Sequence, residues 1–167
     1  MSEQGNTPEN STPLKIWVDA DGCPKDVRDI VFRASRRLSL PVTLVANAPL
    51  GTPPSRRIEL VLVDGGPDAA DAFIAAEVRA GDVVITADIP LAAKVVEAGG
   101  YAIGPRGRVY DRSNAAERLA TRNLLTGLRD RGLITGGPAP YSETHKRRFA
   151  NALDRLLTNL LKNNCIT

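Results

Sequence analysis

Three short apolar runs in this chain each break off at an aspartate. Lys15–Val18 runs into Asp19, Ile58–Val63 into Asp64, and Val83–Thr86 into Ala87-Asp88. Runs of this length bounded by Gly, Pro and Asp read as buried strands rather than helices. What lies between them has helical spacing. After Pro24, a residue the first helical turn tolerates, Val27, Ile30, Val31, Ala34 and Leu38 form one apolar helix face. Pro41 ends that connection, and Val42–Ala46 reads as a further strand. Ala48–Arg57, with three prolines and a glycine, reads as an exposed loop. Helices are expected over 68–79, closed by Gly81, and over Leu91–Ala98, stopped by Gly99-Gly100. Tyr101–Ile103 completes the series as a strand. Short strands alternating with helices predict a single Rossmann-like α/β domain. Its sheet is mainly parallel, of about five strands, with helices on both faces.

After Gly104 the pattern changes. Asn114–Arg131 reads as a helix carrying Leu119, Leu124, Leu125 and Leu128, and Gly136-Gly-Pro-Ala-Pro140 reads as a linker. Ser142 is placed to cap a C-terminal helix whose apolar face holds Phe149, Leu153, Leu156, Leu157 and Leu160. Residues 1–13 are polar and read as a flexible tail, leaving 14–167 as the domain. That start does not resemble a secretion signal, and no segment approaches the roughly 20 apolar residues of a membrane span. The two cysteines, Cys23 and Cys165, form neither a disulfide framework nor a zinc-type pair, so a reducing, cytoplasmic setting is expected. Only 4% of residues are aromatic, which leaves the core to Val, Ile, Leu and Ala, a composition suited to buried parallel strands.

In an open parallel sheet all C-terminal strand ends lie along one edge, where ligands bind at the point of strand-order reversal. Asp19, Asp64 and Asp88 are therefore expected together. Asp21 follows Asp19 by two residues. Asp68 and Asp71, three apart in the next helix, share one helix face. Any one of these acids is accounted for by helix capping or by the helix dipole. Capping needs one acid per helix, however, and here there are several. Crowded carboxylates repel, and a hard divalent cation relieves that repulsion. With one histidine, His145, and no suitable cysteines, the expected cofactor is Mg²⁺ or Mn²⁺ held by oxygen. Such an ion clamps a scissile phosphate and acidifies a water.

Charge adds a second element. Residues 1–104 carry 10 Lys/Arg against 14 Asp/Glu, and residues 105–167 carry 12 against 5. The acidic part suits a metal site and the basic part a surface that gathers a polyanion. Solvated arginine-rich helices are the plainer alternative.

The segment Ile16-Trp-Val-Asp-Ala-Asp-Gly-Cys-Pro24 resembles the start of the YaiI/YqxD family of uncharacterised bacterial proteins, also called UPF0178 or DUF188. The resemblance continues through Pro41-Val-Thr-Leu-Val-Ala-Asn47, Asp68-Ala-Ala-Asp71 and Gly81-Asp-Val-Val-Ile-Thr-Ala-Asp-Ile-Pro-Leu-Ala92. It extends to Asn114, Leu128-Arg129 and Gly136-Gly-Pro138. That family looks PIN-like, and PIN proteins include metal-dependent nucleases with a parallel sheet and a carboxylate cluster. The resemblance implies catalytic and metal-binding roles for Asp19, Asp71 and Asp88. Either Asp21 or Asp68 supplies a fourth acid, and Thr86 supports the turn. Gly22 departs from the alanine expected there.

The partner implied is nucleic acid, RNA before DNA, held by Arg106, Arg108, Arg112, Asn114 and Arg122. Three rival readings stand beside this one. Asp19-x-Asp21-Gly22 also fits a haloacid dehalogenase-type phosphatase, which would need Lys94 as its lysine. Cys23, at a helix start, is a possible thiol nucleophile, although the nearby aspartates oppose its ionisation. The same fold also serves non-catalytic RNA-binding modules. His145, Arg147 and Arg148 read as a solvated basic helix face.

Overall fold

The computed structural model describes residues 14–135 and 140–166. The expected tail over 1–13, and all but the last residue of the 136–140 linker, lie outside the described residues. The elements are β1 (Ile16–Asp19), α1 (Lys25–Leu38), β2 (Val42–Ala46), β3 (Ile58–Leu62), α2 (Pro67–Glu77), β4 (Val83–Ile85), α3 (Ile89–Glu97), β5 (Tyr101–Ile103), β6 (Val109–Tyr110), α4 (Ala115–Asp130) and α5 (Glu143–Ile166). A single 3₁₀ turn, Ala20–Gly22, follows β1.

The six strands form one sheet in the order β3-β2-β1-β4-β5-β6. The first five are parallel, and β6 pairs antiparallel with β5. Alternation along the strands divides the core into two layers. Ile16, Val18, Val42, Leu44, Val83, Ile85 and Ile103 pack with Val27 and Val31 of α1 and with Phe149, Leu153 and Leu157 of α5. Trp17, Val45, Val84 and Ala102 pack on the other face with Ile74 of α2 and with Leu91 and Val95 of α3. The chain thus has the mainly parallel, doubly covered sheet expected of its pattern. The sixth strand went unseen because two residues carry no periodicity. Helix α4 buries little beyond Ala115, and Leu124 stays 63% exposed.

The N-terminal edge of the sheet is tied by one buried acid. Asp82 accepts from Trp17 Nε1 at 3.1 Å, from the Lys15 amide at 3.3 Å and from the Arg79 amide at 3.0 Å. Those bonds join the entry to β1, the exit of α2 and the start of β4. Trp17 also lies under Lys15 Nζ, 4.4 Å from its ring centroid, and meets Phe73 edge-on. Truncation of Asp82 leaves three donors without an acceptor, which costs about 1–3 kcal/mol for each buried group left unpaired. Asp82→Ala is therefore expected to lower the denaturant midpoint clearly. Ligand binding at the opposite edge should stay unchanged in native protein. Equilibrium unfolding followed by Trp17 fluorescence measures the first effect.

Candidate active site

Strand order reverses between β1 and β4. β1 connects through α1 to β2 on one side, while β4 connects through α3 to β5 on the other. Their C-terminal ends therefore open a crevice that no crossover fills. Asp19, the last residue of β1, sits at its floor with 8% of its surface exposed. The hydroxyl of Thr86, just past β4 and buried, organises the centre. It donates to Asp19 Oδ2 at 2.9 Å and accepts from the Asp88 amide at 3.0 Å. Asp88 in turn caps α3, its Oδ1 accepting from the Leu91 amide at 2.9 Å. Asp21, in the 3₁₀ turn, accepts from the Asn47 amide at 2.8 Å, tying that turn to the end of β2.

Asp71 approaches from α2. All six acids singled out from sequence, Asp19, Asp21, Asp64, Asp68, Asp71 and Asp88, line one open cavity of about 610 Å³. Among the described residues no basic side chain lines it. Gly65 and Gly66, with φ of +118° and +89°, supply the left-handed backbone that turns the chain from Asp64 into α2. Gly22 is under no such constraint. A Cβ built there meets Asp19 Oδ2 at 3.8 Å, an ordinary contact, so alanine would fit equally well.

The electrostatics follow from the crowding. Burial pushes the Asp71 carboxyl up to about 7, helped by a hydrogen bond with Asp88 and by repulsion from Asp88, Asp19 and Asp68. Burial also raises Asp19, with further repulsion from Asp88 and Asp21. Hydrogen bonds from Thr86 and Asp71 pull it the other way. Toward neutral pH the Asp71 carboxyl is therefore partly protonated, and its hydrogen bond with Asp88 shares that proton, as close like charges favour. The donors are hard carboxylate oxygens, the set that suits Mg²⁺ or Mn²⁺. Among the described residues no three of them already stand as a ligand shell. The donor chemistry fits an oxygen-liganded divalent ion that replaces the Asp71 proton.

The remaining residues divide. Cys23 is buried, its Sγ 3.9 Å from the Ile85 carbonyl, and burial raises its thiol far above the usual range, which leaves it a packing residue. Lys94, the lysine a phosphatase of the haloacid dehalogenase type would need, is exposed in the last turn of α3 and does not line the carboxylate cavity. Asn114 spends its side chain on the fold, donating to the Val109 carbonyl and accepting from the Asp111 amide, both at 3.0 Å. Arg112 is exposed on the turn before α4.

Arg106 and Arg108 flank the crevice. A cavity of about 640 Å³ holding Arg106, Arg108, Tyr141, His145 and Arg148 meets the carboxylate cavity at Gly22 and Ala87. Another of about 730 Å³, with Arg108, Arg118, Arg122 and Arg129, meets both at Ala87. His145 is not the solvated residue its basic neighbours suggested. Half-buried, it stacks on Tyr141 at 5.6 Å, and Arg106 Nη1 donates to its Nε2 at 3.3 Å. Arg118 and Arg129 have no binding role in the sequence reading, and Arg148 there belongs to a solvated helix face. Arginines on separate helices give no local signal that they share a trench.

Fold and site together define a Rossmann-like α/β domain with a carboxylate cluster at its switch point and a basic trench beside it. The model of the family described as "Uncharacterized BCR, YaiI/YqxD family", DUF188, matches residues 17–159. A UPF0178 protein of Citrifermentans bemidjiense is 55% identical over 89% of this chain and 97% of its own length. One of Trichlorobacter lovleyi is 52% identical over the same shares. A third, of Geobacter sulfurreducens, is 50% identical over 89% of this chain and 99% of its own. The chain belongs to the YaiI/YqxD family.

The raised Asp71 carboxyl has a consequence for stability. The unfolded carboxylate titrates near its ordinary value of about 3.9, so between that pH and about 7 the folded state holds a proton the unfolded chain has lost. Stability contributed there is complete below the unfolded value and is lost as pH rises through about 7. Melting temperatures taken in chelator are expected to fall from about pH 5 to about pH 8 in the wild type. The fall should be shallower in Asp71→Asn, which melts above wild type at the alkaline end. Parallel curves for the two proteins would contradict the shared proton.

Proposed function

We propose that this protein is a metal-dependent nuclease of PIN-like type, hydrolysing phosphodiesters in RNA or single-stranded DNA. The observation that carries the reading is the junction at Gly22 and Ala87. There a cavity walled by six carboxylates opens into cavities walled by arginines. A polyanion has reason to lie along the arginines, and it has reason to cross the carboxylates only if a cation neutralises them.

Asp19, Asp71 and Asp88 would hold Mg²⁺ or Mn²⁺, with Asp21 or Asp68 assisting. When bound, the ion supplies charge neutralisation at the scissile phosphate and a water of lowered pKa. The chain's own groups do the rest. Thr86 fixes Asp19 against Asp88. A carboxylate of the cluster that does not hold the ion would take the proton of the reacting water and return it to solvent. Arg106, Arg108 and Arg122 bind flanking phosphates.

A second reading, a nucleic-acid-binding module without catalysis, draws on a specific observation. The arginines that meet the cluster at Ala87 suit a bound polyanion whether or not the carboxylates hold an ion.

One experiment separates the two readings. The nuclease is expected to cleave labelled RNA or single-stranded DNA in Mn²⁺, to stop on chelation, and to lose at least about a hundredfold in rate in Asp88→Asn. Tight binding without cleavage of either polymer would select the binding module. Binding itself should weaken steeply with salt, and Arg122→Ala is expected to reduce the logarithmic salt slope by about one.

A further inference from the structure

The turn between β5 and β6 is built more tightly than a surface loop needs. Gly104 donates its amide to the Arg108 carbonyl at 2.8 Å, and Gly107 donates to the Gly104 carbonyl at 2.9 Å. Gly107 has φ +96°, and a Cβ there would lie 2.8–2.9 Å from the backbone and Cβ of Arg148, so the turn sits directly on the α5 backbone. Two side-chain bonds add to this. Tyr141 Oη donates to the Pro105 carbonyl at 3.0 Å, and Arg106 Nη1 donates to His145 Nε2 at 3.3 Å. His145 is also held from its own element: Nδ1 accepts from the Ser142 amide at 3.1 Å and lies 3.1 Å from Ser142 Oγ.

The turn and α5 so joined bring Arg106, Arg108 and Arg148 to line one cavity of about 640 Å³, with His145 and Tyr141 in its wall. Among the described residues no carboxylate lines it. Asp21 and Asp88 adjoin its lining residues Gly22 and Ala87 but line the carboxylate cavity instead, and Asp26 of α1 and Glu143 of α5 lie 4.0 and 3.8 Å from Lys146 Nζ. Desolvation, and then Arg106 and Arg148, hold the imidazole below its ordinary range.

We infer that this cavity takes the terminal phosphate monoester of a nucleic-acid strand and so sets the distance of cleavage from that end. A monoester brings close to two negative charges and three unshared oxygens, which three arginines lining one cavity can meet, whereas an internal diester brings one charge. Tyr141 offers a flat face for the terminal base. Because this cavity joins the carboxylate cavity at Gly22 and Ala87, a strand anchored by its end lies across the aspartates. The consequence for cleavage rests on the nuclease reading, but the anion site does not.

The test is therefore made without cleavage, in chelator, on the full chain. Short oligonucleotides of one sequence, carrying a 5′-phosphate, a 3′-phosphate or hydroxyls at both ends, are compared by fluorescence anisotropy. One phosphorylated end is expected to bind about tenfold tighter than the hydroxyl form, the worth of one or two charge-assisted hydrogen bonds. The preference should vanish in Arg148→Gln and in Arg108→Ala, and persist in Lys94→Gln, whose side chain is exposed and lines neither cavity. His145 is the only histidine, so its imidazole resonances form one set. On binding the favoured end at about pH 7 they should move toward the protonated position, since a dianion stabilises imidazolium. Equal affinity for all three ends, or a preference that survives both arginine variants, would overturn the inference. An end preference in a protein that never cleaves would overturn the nuclease reading and leave this one standing. Metal-dependent cleavage without an end preference would do the reverse.

Discussion

Parallel pairing of β1 with β4 is the constraint on which the rest depends. Their crossovers leave in opposite directions, so the ends of these neighbouring strands face an opening with helices on either side. A carboxylate at the end of β1 is deep enough to be desolvated and close enough to the β4 turn to need a partner from it. The Thr86 hydroxyl is that partner, and by also accepting from the Asp88 amide it links the β1 acid to the cap of α3. Two acids with separate local reasons to exist are thereby held in one electrostatic environment. Asp71, arriving from α2, must share their proton.

The two edges of the sheet use aspartate for opposite ends. Asp82, at the N-terminal edge, meets three donors and is spent on holding strands and helix together. Asp19, Asp71 and Asp88, at the C-terminal edge, meet one another, and their repulsion is stored. Among the described residues no helix is long and apolar enough to cross a membrane. The exposed surface near the cluster is instead cationic, contributed by the β5–β6 turn and by α4 and α5. A site that repels anions sits in a surface that attracts them.

Much of this was legible in the chain because buried parallel strands leave an unmistakable trace. Val42–Ala46 and Tyr101–Ile103 begin and end where the apolar runs do, and the aspartates that stop three of the runs all line one cavity. Elements governed by contacts rather than by pattern were not legible. β6 has two residues and exists because the Gly104–Arg108 turn directs Val109 back along β5. Asn114, read as a ligand for substrate, is a fastener of that region because its amide fits the Val109 carbonyl and the Asp111 amide at once. His145 looked like one charge in a basic run. Its partners Arg106 and Tyr141 come from a distant turn and from the start of α5, and no spacing rule joins the first of them to it.

The sheet also ends differently on its two sides. At one border β6 stops after two residues, too short to template another strand. At the other, β3 runs five residues as an edge strand paired only with β2, its alternate backbone donors and acceptors facing outward, and Leu62 is 53% exposed at its end. Such a border invites pairing with a second chain. Its protection is chemical: Arg56 and Arg57 precede it, Pro53 and Pro54 stiffen its approach, and Glu59 puts a charge in its middle. Self-association of this domain into ordered aggregates would accordingly begin at β3, and the charge on Glu59 is what stands against it.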